Sequence, residues 1–452
     1  MNLAITESEL TELTKELSQF TALIDQYNLG VADKESILQK VAYFEAIEWQ
    51  KENMFNQMLG YFALASAYGN LKSKSLDHTK AYYDNEYVYK EISYYHNVQY
   101  VVSRVQKEQW GALYLSAFSL ACRSYLSLAN AYDHLGRFCE AQQYYRLASE
   151  DKRNIEEVEF NQGYSYANMH AFWTEEEPWI VRKAQLFLHK YAQRYDVLVP
   201  GVRKEVCGWS SPPFDVPQAN FSTLENGNYE LWVNENYLRV NRYCDVEPFS
   251  ELSLKDNVSL EEIRDSSEKK ELCKSAFEEI KATFIDTRVM TFEVLDGDVS
   301  FQRLKMCYKS FYSILDKIAL FLKAYLDIPV EVFRVDFATI WYEKKERLRT
   351  EFMNNQHNLS LLALYNVKLD VYGAKSFEYV IDEQTKDFQR IRNFMEHKIV
   401  EIKPGQMRYD DYKLTISKEE LILNTIRLAQ LVRCAIIYLC NFVLHAEYDK
   451  GL

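Results

Sequence analysis

The chain has 452 residues, 48% of them hydrophobic and 26% charged, with a formal net charge of −13. That length and balance describe two or three globular domains with cores of their own and exclude a disordered chain. The excess of acid excludes nucleic-acid binding through bulk charge, so any RNA contact has to come from a local basic patch. Only 13 Gly and 8 Pro argue for long helices rather than β structure, and 34 Tyr and 25 Phe suit thick helix–helix interfaces. The 8 Cys form no C-x2-C pair, and the His residues are dispersed with no H-E-x-x-H. Neither a disulfide framework, a metal site nor a bound cofactor is expected, and free thiols fit a reducing cytoplasm. The stretch Met1 to Glu9 lacks the cations and apolar core of a signal peptide. The most apolar run, Cys434 to Leu444, is too short to span a bilayer and reads as a buried helix, so no membrane contact is expected.

A first helix is expected from Thr6 to about Gln26, opened by a Thr6-x-x-Glu9 capping box and carrying Leu10, Leu13, Leu17 and Phe20 at helical spacing. Asn28-Leu29-Gly30 ends it, and a second begins near Asp33 with Ile37, Val41 and Phe44. Met58 to Tyr68 and the Tyr-rich stretch from Tyr87 to Tyr95 predict two more. The clearest unit runs from Tyr125 to Ala148. Leu128, Ala129, Tyr132, Ala141, Tyr145 and Ala148 fall at the offsets of a tetratricopeptide (TPR) helix-turn-helix, with Leu135-Gly136-Arg137-Phe138 as the turn. Arg153 stands where such repeats usually carry proline. Gly163 to Phe172 with Trp179 to Tyr195 reads as a second, degenerate pair. Residues 1–195 are thus expected to be a TPR-like helical stack, the plainer alternative being an ordinary helical bundle.

Composition shifts after Val199-Pro200-Gly201, and residues 196–255 read as a loop-rich connector with a short helix from Tyr229 to Tyr237. A domain over 256–452 follows. In it Phe277, Ile280, Phe284 and Met290 recur on one side, and Phe301 to about Leu326 carries an almost unbroken apolar stripe of Leu304, Tyr308, Phe311, Leu315, Ile318 and Leu322. A basic helix is expected around Trp341 to Arg349. Its Lys344, Lys345, Arg347 and Arg349 form one local basic patch, or else a solvated face. Pro404-Gly405 and Tyr409 to Tyr412 read as a turn, and Ser417 to about His445 as a strongly apolar closing helix.

Between these lies Gln389 to Lys398, where Arg392, Asn393, three further residues and His397 make an R-polar-x3-H spacing. A guanidinium holds a phosphate bidentately and an imidazole exchanges protons near neutral pH, a pairing suited to phosphodiester chemistry. On an ideal helix Arg392 and His397 point roughly 140° apart, with an offset of ~7.5 Å along the axis. Arg392 shares a face with Glu396, and Asn393 with His397, so the acid is placed to orient the arginine and the amide to fix the imidazole tautomer. One His is short of the base and acid that cleavage wants together. Two copies of this helix meeting across a two-fold axis supply both, and the motif favours a dimer.

Long helix, shorter helices, an R-N-x3-H helix and a closing apolar helix together resemble the HEPN superfamily. The resemblance covers roughly residues 225 to 452. It extends to Tyr308-x3-Tyr312-Ser313-x-Leu315-Asp316-Lys317-Ile318-Ala319, to Tyr229-Glu230-Leu231-Trp232-Val233-x-Glu235-Asn236-x-Leu238 and to Arg392-Asn393-x2-Glu396-His397, seen in one branch behind TPR-type repeats. It implies an all-α chain, a TPR-like stack followed by a HEPN four- or five-helix bundle, and a metal-independent endoribonuclease of toxin or antiviral-effector type. By it, Arg392 and His397 correspond to the catalytic pair, Asn393 to the polar residue after the arginine and Glu396 to a supporting acid. Glu396 either raises the basicity of the imidazole or pairs with Arg392. Arg390 and Lys398 become phosphate positioners, or else residues of a solvated face. Asp316 either orients part of the site or makes an ion pair among the neighbours of Lys317. The partners implied are an RNA substrate, a second copy meeting the first through the HEPN domain, and a protein on the TPR-like arm. From a different class, the alternative is a TPR adaptor whose HEPN domain is an inactive dimerisation or ligand-binding module.

Overall fold

A computed structural model describes residues 12–75, 85–104, 110–172, 183–184, 187–188, 190, 217–260, 263–297, 300–343, 347–373, 385 and 387–450. Two compact units divide the chain, residues 1–213 with 377–383 and residues 214–376 with 384–452.

The first unit is built of helices. Helix α1 (Glu12–Asn28) buries Leu17, Phe20 and Ile24, while the expected capping box at Thr6 lies outside the described residues. Asp33 caps α2 (Lys34–Glu45) by accepting the Ser36 N–H at 2.8 Å, satisfying a donor the helix start leaves open. Phe20 stacks on Phe44 with ring centroids 4.8 Å apart. Helix α3 (Met54–Ser75) packs along α4 (Glu86–Ser103). The Trp49 indole lies where a Cβ on Gly60 would meet its ring at 2.1 Å, so that approach requires glycine. Helices α5 (Tyr114–His134) and α6 (Phe138–Ala148) form the helix-turn-helix expected from Tyr125 onward, α5 beginning earlier than that. Ala129 and Ala141 are fully buried between them, and Gly136 turns the chain at φ +72°. The Tyr145 hydroxyl donates to Asn130 at 2.7 Å. Asp133 accepts hydrogen bonds from Ser165 and Asn168, tying α5 to α7 (Ile155–Phe172). Arg153, standing at the usual proline position, pairs with Asp151 at 2.8 Å. Most of the expected segment from Trp179 to Tyr195 lies outside the described residues.

The second unit holds α8 (Gly227–Glu235), α9 (Ser267–Asp296), α10 (Phe301–Tyr325), α11 (Thr350–Met353), α12 (Leu359–Tyr372), α13 (Phe388–His397) and α14 (Lys418–Asp449). The apolar stripe of α10 is the seam of this bundle, with Leu304, Phe311, Leu315, Ile318 and Leu322 all fully buried. It packs against α9 on one side and α14 on another, and α12 is buried all round from Ser360 to Val371. Helix α14 is long and apolar enough to cross a membrane, but 89% of its most apolar window is buried in the folded chain. It is the bundle's central helix.

Three expectations are corrected here. First, the stretch after α13 is more than a turn. Strands β1 (Ile399–Ile402), β2 (Arg408–Tyr409) and β3 (Lys413–Ile416) form a small sheet of order β1-β3-β2, parallel between β1 and β3, in an all-α fold with little other β structure among the described residues. Period-two patterning in strands this short is too brief to stand out from helical spacing.

Second, no basic helix forms among the described residues around Trp341 to Arg349. Tyr342 and Leu348 pair as an antiparallel bridge, with Glu343 N–H to Arg347 O at 2.8 Å and Arg349 N–H to Trp341 O at 2.9 Å. Trp341 drives this: its ring is buried 4.6 Å from that of Phe352, and its indole N–H donates to Phe337 O. Lys344 and Lys345 lie outside the described residues.

Third, residues 217–255, expected as a loop-rich connector with a short helix, hold that helix among loops and count with the second unit. Arg433 on α14, fully buried, pairs with Asp245 at 2.5 Å and donates to the carbonyls of Arg239 and Asn241. Arg288 on α9 likewise clasps Asp256 at 2.7 Å. This segment is stapled into the second unit by buried, hydrogen-bonded charge.

Candidate active site

Helix α13 turns Phe388, Ile391 and Phe394 into the bundle and its polar residues outward. The Tyr308 hydroxyl of α10 donates to Phe388 O at 2.9 Å, fixing where the helix starts. Its far end is set by Lys398, whose backbone is extended and whose N–H closes on Phe394 O, after which β1 carries the chain beside β3. His397 is therefore the last helical residue, exposed at the end where the chain changes conformation.

Arg392 is half-buried and leans toward α10. Its guanidinium lies 5.6 Å from the centre of the Tyr312 ring, and one of its nitrogens donates to the Asn393 side chain at 3.3 Å. One turn further along α10, the Asp316 carboxylate accepts the Phe337 N–H at 3.0 Å. Burial pushes this carboxyl above its ordinary range, against the opposing pull of that bond and of Arg392. Tyr372 of α12 completes the backing, its ring edge-on to Tyr312 at 5.9 Å, and burial raises both phenols well above their usual values. The arginine thus leans on Tyr312 of α10, with Asp316 one turn beyond.

Several local pairings differ from those expected. Glu396 pairs with Lys309 of α10 at 3.2 Å rather than with Arg392, because the bundle turns Arg392 toward Tyr312 and brings a nearer cation to the acid. The Asn393 amide oxygen serves Arg392, not the imidazole. His397 itself makes no hydrogen bond or ion pair among the described residues. Arg390 is occupied by an ion pair with Asp387 and lies 4.2 Å over the Tyr409 ring of β2. Lys398 is exposed, its ammonium 4.6 Å over the Phe394 ring. Lys317 binds Glu279 at 2.6 Å, so Asp316 is not engaged in a local ion pair with it.

Chemically, α13 offers one guanidinium held against an aromatic and acidic backing and one accessible imidazole on the same short helix. Tyr312, Tyr372 and Lys309 take part without having been assigned roles from sequence. The tyrosine could have been found, since Tyr308, Tyr312 and Asp316 repeat at four-residue intervals on one face. Lys309 and Tyr372 come from elsewhere in the chain and leave no local signal.

No curated protein and no solved structure matches this chain. Residues 271–447, from within α9 to the last turn of α14, match the family described as LA2681-like HEPN, a match that contains every candidate site residue and leaves the N-terminal helical unit outside it. The C-terminal part of the chain is a HEPN domain.

Proposed function

We propose that the protein is a metal-independent endoribonuclease of HEPN type, acting as a homodimer, with the N-terminal helical unit as a TPR-like arm that receives a protein partner or trigger. A HEPN domain points to an RNA-related, nuclease-type role. The observation that carries the finer reading is the placement of Arg392 and His397. Both stand on one helix of the matched domain, the first braced by Tyr312 and the second open to solvent.

The reaction is transesterification within RNA. The ribose 2′-hydroxyl attacks the adjacent phosphorus as an imidazole takes its proton. The bond to the 5′-oxygen breaks as a second acid protonates that oxygen, leaving a cyclic phosphate and a 5′-hydroxyl end. Arg392 holds the added negative charge on the phosphorane. One chain supplies one such imidazole, and a second copy supplies the other proton-transfer group. An effector of toxin or antiviral type, silent until its arm is engaged, fits this build.

Purified protein should cut single-stranded RNA with EDTA present. His397→Ala should reduce cleavage at least a thousandfold while leaving the oligomer, seen by light scattering, unchanged. Cleavage that survives the substitution removes His397 from the chemistry. No cleavage by the unsubstituted protein, with a tight protein complex instead, favours an adaptor carrying an inactive HEPN module.

A further inference from the structure

A second feature of the HEPN-containing unit lies beside α13. An open cleft of about 1820 Å³ is walled by the loop after α10, by the residues flanking the Tyr342–Leu348 bridge, and by the ends of α12 and α13. Five cations line it: Lys323, Arg334, Arg347, Arg349 and Lys368. Three carboxylates, Glu331, Glu343 and Glu351, line it as well. Yet among the described residues Lys323, Arg334, Arg347 and Arg349 form no ion pair with those acids or any other. Five cations against three carboxylates, in a chain of net charge −13, make the lining of this cleft a local excess of positive charge.

The remaining lining specifies the kind of anion. Tyr342 and Tyr372 are the aromatic residues of the lining. Lys368, 2% exposed, is anchored by donating to the Tyr342 hydroxyl at 3.0 Å and to Gly373 O at 3.3 Å. Cations along a groove with interspersed rings are the equipment for a single-stranded nucleic acid, where phosphates meet the charges and bases stack on the rings. The volume exceeds the ~300–1,000 Å³ usual for small-molecule sites, which favours an extended ligand. Two lining residues join the cleft to the candidate active site. Gln389 stands one turn before Arg392 on α13, and Tyr372 packs on Tyr312, whose ring backs that arginine.

We infer that this cleft binds the RNA strand flanking the scissile phosphate, with Arg334 and Arg347 contacting its backbone. The inference rests on the endoribonuclease reading for what happens to that strand, but the binding itself is measured apart from cleavage. In full-length protein carrying His397→Ala, a fluorescein-labelled single-stranded RNA of twelve nucleotides is titrated by anisotropy at several KCl concentrations. Adding Arg334→Glu with Arg347→Glu should weaken binding at least tenfold. It should also lower the slope of log K against log [KCl] by ~1.4, about 0.7 for each phosphate that no longer meets an arginine. A charge-matched control, Lys15→Glu with Lys51→Glu, should bind within twofold of the parent.

Equal weakening in the control, or none in the cleft variant, overturns the inference. So does pyrophosphate or a mononucleotide competing as well as the oligonucleotide, which makes this a small-anion site. Binding through the cleft without cleavage by the unsubstituted protein sinks the nuclease reading alone. Cleavage with unaltered KM in Arg334→Glu with Arg347→Glu sinks the cleft alone.

Discussion

At the scale of single residues, the candidate site depends on what surrounds Arg392. A planar guanidinium against the Tyr312 ring, donating to Asn393, is held in one orientation, and the fork it presents matches two phosphate oxygens at once. An ammonium has the same charge but neither the plane nor the fork. Arg392→Lys should therefore lower kcat for RNA cleavage by about 10²–10³ with little change in the thermal midpoint, as when one donor to a developing oxyanion is removed. Steady-state rates on a quenched fluorescent RNA, with circular dichroism for the fold, check this. A rate within threefold of the parent would mean that charge alone suffices. The residue types were legible at this scale, and their pairings were not. The four-residue spacing of Arg392 and Glu396 matches a helix-surface ion pair, but a helix lies against other helices, and here Lys309 competes successfully for the acid.

At the scale of elements, α13 is a ten-residue helix, too short to be stable by itself, and its position is imposed from outside. Three apolar residues anchor its inner face and one buried hydroxyl fixes its start. Tyr308→Phe removes only that hydroxyl, so the packing stays and a buried hydrogen bond goes. The expected cost is about 1–2 kcal/mol of global stability, read as a lower urea midpoint, together with a several-fold drop in cleavage as Arg392 and His397 lose their fixed start. His397→Ala should do the reverse, abolishing cleavage without moving the midpoint. An unshifted midpoint for Tyr308→Phe would show that the apolar packing alone positions the helix.

At the scale of the whole molecule, the second unit is closed by charge buried between distant parts of the chain. Arg433 and Asp245 are 188 positions apart and 0% and 1% exposed. Replacing Arg433 with Leu leaves the Asp245 carboxylate buried without its cation, which should cost roughly 3–5 kcal/mol and be seen as a fall in the urea midpoint. Replacing both residues with Leu should recover part of that stability, because the penalty comes from the stranded charge more than from the missing attraction. If Arg433→Leu unfolds at the parent's midpoint, the segment from 217 to 260 is not held by this pair.

Along the chain alone, the long amphipathic stripes announce their helices, because burying one face of a helix demands apolar residues at a fixed period wherever that face finally rests. Hence α10, α14 and the α5–α6 hairpin are visible in the sequence, as are Arg392 and His397, which sit together on one short segment. Pairing between remote segments has no such local signature. The parallel match of β1 with β3, the Tyr342–Leu348 bridge beside buried Trp341, the Tyr372 backing of the site and the gathering of Lys323 with Arg334 and Arg347 in one cleft all depend on contacts that no helical period encodes. Hydrophobic periodicity tells a residue which way to face. Which neighbour it meets there is settled by packing and by the competition among nearby charges.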